Sequence, residues 1–260
     1  MALIDNLIEY WKMNESSGNC IGSFAAKSGT VTGATQGASG KIATAYSFDG
    51  SDNVDFGDDA SFDFGSSTDW SISLWFNTTS TDAYDYVIAK YGSSGWGIEL
   101  VSGALYVFAN DGIGGVLFKA VTGTVNNGSW HHLVATFDRD GNCTTYLDGG
   151  AGSTASMSAV GNISNSDIFY FGRDTTGTYQ YNGSLDAIGV WNKILTSGEA
   201  SELWNSGNGY EGFLATYDGT MYRYTGSLWE KVPLNNYEGS FSTRPVRYWN
   251  GSSWQLIMSF

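Results

Sequence analysis

The feature that most limits what this chain can fold into is a recurring alternation of apolar and polar residues at a period of two. It runs through Trp70-Ser71-Ile72-Ser73-Leu74-Trp75-Phe76, Ala104-Leu105-Tyr106-Val107-Phe108, Trp130-His131-His132-Leu133-Val134-Ala135-Thr136-Phe137 and Gly183-Ser184-Leu185-Asp186-Ala187-Ile188-Gly189-Val190-Trp191. Successive side chains of a strand point to opposite faces, so such runs read as strands with one face on a core. Asp-Gly pairs separate them at Asp49-Gly50, Asp111-Gly112, Asp140-Gly141 and Asp148-Gly149, which suits tight turns. The expectation is an all-β chain of two stacked antiparallel sheets. In 130–137, His131, Leu133, Ala135 and Phe137 share one face, while Trp130, His132, Val134 and Thr136 share the other. Large groups on both faces place this strand in the middle of stacked layers. Its two histidines point opposite ways and read as structural.

One helix interrupts the pattern. Thr196-Ser197-Gly198-Glu199 has the form of a capping box; Ala200, Leu203 and Trp204 give a short apolar face, and Gly207 offers a stop. Beyond Gly212 the texture changes to short aromatic segments, so the chain divides into a sandwich over 1–212 and an appendage over 213–260. Within the appendage, Met221-Tyr222-Arg223-Tyr224-Thr225-Gly226-Ser227-Leu228-Trp229 aligns with Val246-Arg247-Tyr248-Trp249-Asn250-Gly251-Ser252-Ser253-Trp254. Each copy reads as a β-hairpin around a Gly-Ser turn, and two hairpins are marginal alone. Tyr224, Trp229, Trp249 and Trp254 are therefore candidates for an anchoring or oligomerisation interface.

Charge narrows the partners. With 12 Lys+Arg against 26 Asp+Glu the formal net charge is −14. Such a surface repels phosphate backbones and anionic lipid, which argues against nucleic-acid or membrane partners, and it tolerates cations and neutral sugars. No run approaches the ~20 apolar residues of a membrane span. The N-terminal Met-Ala-Leu-Ile-Asp-Asn-Leu-Ile-Glu-Tyr-Trp lacks the basic region and unbroken apolar stretch of a secretory signal. Cys20 and Cys143 are too few for a disulfide framework.

Catalytic signatures are absent. Retaining glycoside hydrolysis needs two carboxylates ~5–5.5 Å apart, and no strand carries a spaced acidic pair: Glu99 stands alone, while Glu199 and Glu202 belong to the helix. Neither a G-x-S-x-G elbow nor an H-E-x-x-H metal motif occurs. The expectation is a protein that is not an enzyme.

Two sets of binding residues stand out. Asp186 alternates with Ile188 and Val190, and a carboxylate on an apolar face needs a partner. A Ca²⁺ ion held by Asp186 with Asp49, Asp52 and Asn53 would supply one. The aromatic, polar stretches 82–86, 91–96 and 173–181 have the composition of a sugar site, in which rings stack on the pyranose and polar groups meet its hydroxyls. Tyr84, Tyr86, Trp96, Arg173 and Tyr179 are the ligand-binding candidates.

Several motifs, in order, carry a resemblance. They are Tyr10-Trp11-Lys12-Met13-Asn14-Glu15, Ala45-Tyr46-Ser47-Phe48-Asp49-Gly50, Trp70–Phe76, Trp130–Asp138 followed by Tyr146-Leu147-Asp148-Gly149, and Tyr181–Asn192. Together they resemble the laminin-G-like branch of the concanavalin-A-like lectin/glucanase superfamily over roughly 1–210. The resemblance implies a jelly-roll sandwich that binds glycans or other host-surface ligands, and it favours calcium near the loops named above. The segment Thr243–Trp254 resembles aromatic modules near the ends of tailed-phage virion proteins. That likeness implies a virion surface component, such as a tail fibre, baseplate or capsid decoration protein. It would contact other virion proteins and form a homo-oligomer, with a trimer favoured. The alternative is a secreted cellular carbohydrate-binding module.

Overall fold

A computed structural model of the chain describes residues 3–210 and, beyond them, the strand backbones at 221–224, 229–232, 246–249 and 254–258. In chain order the strands of the first part are Leu7–Trp11 (β1), Cys20–Ile21 (β2), Ser28–Thr32 (β3), Thr35–Ser39 (β4), Thr44–Asp49 (β5), Asn53–Asp55 (β6), Trp70–Asn77 (β7) and Asp85–Tyr91 (β8). There follow Gly95–Val101 (β9), Ala104–Asn110 (β10), Val116–Ala120 (β11), Trp130–Phe137 (β12), Asn142–Leu147 (β13), Gly150–Ser156 (β14), Phe169–Phe171 (β15) and Asn182–Trp191 (β16). One α-helix, Ser197–Trp204 (α1), comes last.

The first sheet runs β14-β13-β12-β7-β16-β5-β4, with β1 also pairing β16, and the second runs β11-β10-β9-β8-β15-β6-β3-β2. All ladders are antiparallel. The expected all-β jelly-roll sandwich with one short helix is what the chain adopts. Leu74 and Phe76 of β7 and Leu133, Ala135 and Phe137 of β12 face inward, against Ile98 and Leu100 of β9 and Leu105 and Val107 of β10. The rings of Phe64, Trp70 and Phe137 lie parallel, 4.8 and 4.3 Å between successive centroids, as alternation on the paired strands requires.

On the other side of the first sheet a second layer forms. The capping box is present: Thr196 accepts from the Glu199 amide, and Glu199 accepts from the Thr196 amide while pairing with Lys193. The helix ends at Trp204, with Asn205 in the left-handed region, rather than running on to Gly207. Trp204 stacks on the outward Trp75 at 5.0 Å, next to His132. The Ser73 hydroxyl meets His132 Nε2 at 2.9 Å, and burial pushes this imidazole down to about 3, so it is neutral. His131, on the opposite face, sits between Asp148 and Asn127. Both histidines are structural, as the sequence suggested.

Two ions are internal to the fold. The Glu9 carboxylate, fully buried, accepts from the amides of Tyr10, Phe24, Ala25 and Lys27 and so fixes the loop after β2. Lys90 points inward from β8 with its side chain wholly buried. Its ammonium donates to Asp58 Oδ1 at 2.9 Å and to the carbonyls of Asn165 and Asp167 at 2.9 and 2.8 Å, with Asp63 at 3.2 Å. An oxygen cage of this kind ties two loops to the strand. Cys20 and Cys143 are both buried and free. No helix among the described residues is long and apolar enough to cross a membrane.

The contact pattern divides the chain into two compact units, 1–213 and 214–260. In the second, Met221–Tyr224 (β17) pairs with Trp229–Val232 (β18) and Val246–Trp249 (β19) with Trp254–Met258 (β20). Tyr224 lies opposite Trp229 and Trp249 opposite Trp254, each pair closing its hairpin. Only the backbone of these strands is described, so the anchoring role assigned to the four side chains lies outside it.

Replacing the caged cation tests the cage directly. Lys90→Met keeps the stem but leaves carboxylates and carbonyls facing one another. The expected loss is about 3 kcal/mol, the low end for a broken buried pair because Asp58 is half exposed. Urea unfolding at pH 7 measures it; an unchanged midpoint would show that the cage holds nothing.

Candidate ligand-binding face

The outward face of the second sheet is built by the same alternation that builds its core. Between the inward Ile98 and Leu100, Glu99 points out; between the inward Leu105 and Val107, Tyr106 points out, followed by Phe108. Glu99 is the Cα partner of Tyr86 on one side and of Tyr106 on the other, so the three form a row across β8, β9 and β10. Tyr106 stacks on Phe118 of β11, with centroids 4.4 Å apart and planes 16° apart. Phe108 meets Tyr91 edge-on at 5.0 Å and Tyr86 at 5.9 Å. Its ring lies across Gly97, where a Cβ would come within 2.8 Å of it, so a side chain there would displace the ring. Phe118 and Val116 are each 49% exposed.

The loop after β15 borders this face. Asp174 is buried, and both its oxygens are engaged by the Thr176 hydroxyl while its Oδ1 also accepts from the Gly177 amide. Gln180 bridges to both Tyr86 and Arg173, and the Thr175 amide donates to the Tyr91 carbonyl. These bonds pin the loop to the sheet. The Arg173 guanidinium lies 4.6 Å from the Tyr170 ring centroid and donates to the carbonyls of Asp174 and Thr175. Tyr84 and Tyr179 pair at 5.1 Å, 44% and 42% exposed.

Four of the five sequence candidates therefore lie on or beside one face: Tyr84, Tyr86, Arg173 and Tyr179. Trp96 does not. It points inward from β9, is 1% exposed and donates from Nε1 to the Phe62 carbonyl, so it belongs to the core. Its flanking glycines made the segment look like a loop, whereas they allow a strand to pass close to its neighbours. The sequence did not single out Glu99, Tyr91, Tyr106, Phe108, Phe118 or Tyr170 as ligand-binding residues; the parity of β9 and β10 was the signal that could have found them.

The proposed metal set is not brought together. A bulge between Asp186 and Gly189, with Ala187 at φ 49°, reverses the parity of β16. Ile188 and Val190 face the core, whereas Asp186 is the partner of the outward Trp75 and does not share their face. The Asp186 carboxylate accepts from the Ile42 amide at 2.8 Å and holds the loop between β4 and β5. Asp49 pairs with Asn182, four positions from Asp186 along β16 and hence about 13 Å away. Asp49 accepts from Ser51, Asp52 from the Asp49 amide, and Asn53 is paired with Thr32 in the ladder. Among the described residues no group of three or more His, Cys, Asp or Glu could hold a metal ion.

Loss of solvation pushes the Glu99 carboxyl up to about 7, Asp174 adding to the rise and the Tyr86 hydroxyl opposing it. The folded state then binds a proton that the unfolded chain releases nearer 4.3, so stability falls as pH rises between those values and is level above about 7. Glu99→Gln removes that slope. The variant is expected to be more stable than wild type by about 3 kcal/mol above pH 7 and equal to it near pH 4. Parallel pH series of urea unfolding read the difference; coincident curves would contradict it.

Comparison with known proteins agrees with this architecture. A family model described as the concanavalin A-like lectin/glucanases superfamily matches residues 48–201. Among solved structures, the binding domain of Paraclostridial Mosquitocidal Protein 1 superposes with a TM-score of 0.67 at 19% identity, covering 78% of this chain and 52% of that one. The botulinum neurotoxin serotype D binding domain gives 0.62 at 12% identity, covering 78% and 51%. The binding domain of botulinum neurotoxin DC in complex with SialylT gives 0.61 at 15% identity, covering 78% and 52%. The chain thus spans about half the length of each of these structures. No curated protein matches it significantly. With more than half of its residues matched, the chain belongs to the concanavalin A-like lectin/glucanases superfamily.

Proposed function

We propose that this chain is a non-catalytic binding protein that takes a glycan on the outward face of its second sheet. The observation that carries this reading is the half-buried row Tyr86–Glu99–Tyr106 with the Tyr106–Phe118 stack and the exposed Phe118 beside it. Aromatic rings on the face of a sheet offer apolar surface for a pyranose, and Glu99 and Gln180 offer groups for its hydroxyls. Asp174 already spends its oxygens on its own loop, which leaves Glu99 without a second free acid beside it. One serotype D neurotoxin binding domain, of which this chain spans only a part, is described in complex with N-acetylneuraminic acid. A glycan array tests the reading. Tyr106→Ala and Phe118→Ala should each weaken binding about 3- to 10-fold, the scale of a lost stacking contact, in variants that melting curves show to be folded. Binding unchanged in both variants would move the site elsewhere.

The setting we propose is a virion surface, with assembly in the host cytoplasm and with other virion proteins as neighbours. Its support is the aromatic repeat of 213–260 and the likeness of Thr243–Trp254 to tailed-phage modules. Paired aromatic positions closing both hairpins suit a contact between copies of the chain. Light scattering of the full chain should give a closed oligomer, a trimer on this reading, that becomes monomeric when 213–260 is removed. A full-length monomer favours the extracellular, secreted module instead.

A further inference from the structure

Glu99 is the carboxylate at the centre of this face. The residue is 5% exposed, at the floor of the row between Tyr86 and Tyr106. The charged and titratable groups that face it come from three sides. From β8 there is Tyr86, from β10 Tyr106, and from the loop after β15 Asp174, close enough to act on the Glu99 carboxyl. Farther along, Asp55 stands opposite Tyr170. The cations are placed otherwise. Arg173 is committed to the Tyr170 ring and two carbonyls. Lys119 of β11 is the partner of Val107, whose side chain is in the core, so its register is that of the other face.

The face thus joins carboxylates with ring faces, and both attract positive charge. A carboxylated ligand would meet Glu99 and Asp174 where solvent screens poorly. A hydroxyl donor, as Tyr86 already is, favours ionisation of this carboxyl. An ammonium favours it more, because it adds charge to the hydrogen bond.

Building on the glycan-binding reading of this same face, we propose that its ligand is a glycan carrying a free protonated amine, a 2-amino-2-deoxy sugar whose ammonium sits on Glu99 between the rings of Tyr86 and Tyr106.

Titration calorimetry on the full chain tests this with three probes: an unacetylated glucosamine oligomer, its N-acetylated counterpart and sialyllactose. The expected result is at least ~10-fold tighter binding of the unacetylated oligomer, as for a charge-assisted contact. In Glu99→Gln the ratio should fall to about 1, and sialyllactose should not bind. Melting curves check that Glu99→Gln is folded, which its expected gain in stability favours. Equal or reversed preference, or a preference that survives Glu99→Gln, overturns the amine assignment. So does the absence of heat with all three. In each of those cases glycan-array binding that is lost in Tyr106→Ala keeps the face as the site, whereas array binding indifferent to Tyr106→Ala removes the parent reading as well.

Discussion

A sandwich of two sheets buries one face of each and leaves two faces whose treatment is decided elsewhere in the sequence. Here the two are treated differently. The outer face of the first sheet is sealed: Trp204 from α1 lies on Trp75 and beside His132, and the loop held by Asp186 closes over the same side. Among the described residues of the first unit no helix lies over the outer face of the second sheet, which is rich in tyrosine and phenylalanine. Apolar surface left open on a rigid scaffold marks an interaction site more often than an accident. That asymmetry, more than any single residue, is what points the binding function to one side of the molecule.

Loops around the sandwich are organised by charges that belong to the chain itself. Glu9 collects four backbone amides, and Lys90 fills a cage of carboxylates and carbonyls. Each supplies inside the fold the kind of point charge that loops in other proteins borrow from a bound ion. Burying such charges is costly unless every neighbouring lone pair or proton finds a partner, and here the backbone itself does most of the partnering. The loops bordering the open face are held by the same kind of bond, with Asp174 taking the role of the local acceptor.

Much of this was legible in the sequence because period-two patterning is a direct record of which side a residue faces. The parity of β12, the opposite orientations of His131 and His132, and the capping box at Thr196 all follow from local rules. What the sequence hid was where that parity breaks. Ala187 takes a left-handed conformation that no residue type announces, and the bulge it makes moves Asp186 off the face of Ile188. A second bulge between Tyr86 and Ile88 leaves both Val87 and Ile88 in the core. Lys90 and Trp96 mislead in another way: a lysine reads as solvated and a Gly-Trp-Gly stretch as loop, yet both point inward. The candidate face was half visible, because its rim is loop-rich and its floor looks like ordinary strand.

One bond at the border of the sandwich has a wider consequence. The Ser153 hydroxyl of β14 donates to the Ala120 carbonyl of β11, at 2.7 Å, so the last strand of one sheet is stitched to the last strand of the other. An acceptor that would otherwise lie open for a foreign strand is already occupied. β11 also carries exposed Val116 and Phe118, which would make it an inviting template for fibrillar growth. The stitch lets β11 carry exposed rings while one backbone acceptor of that edge is already taken, which makes pairing with a foreign strand less favourable.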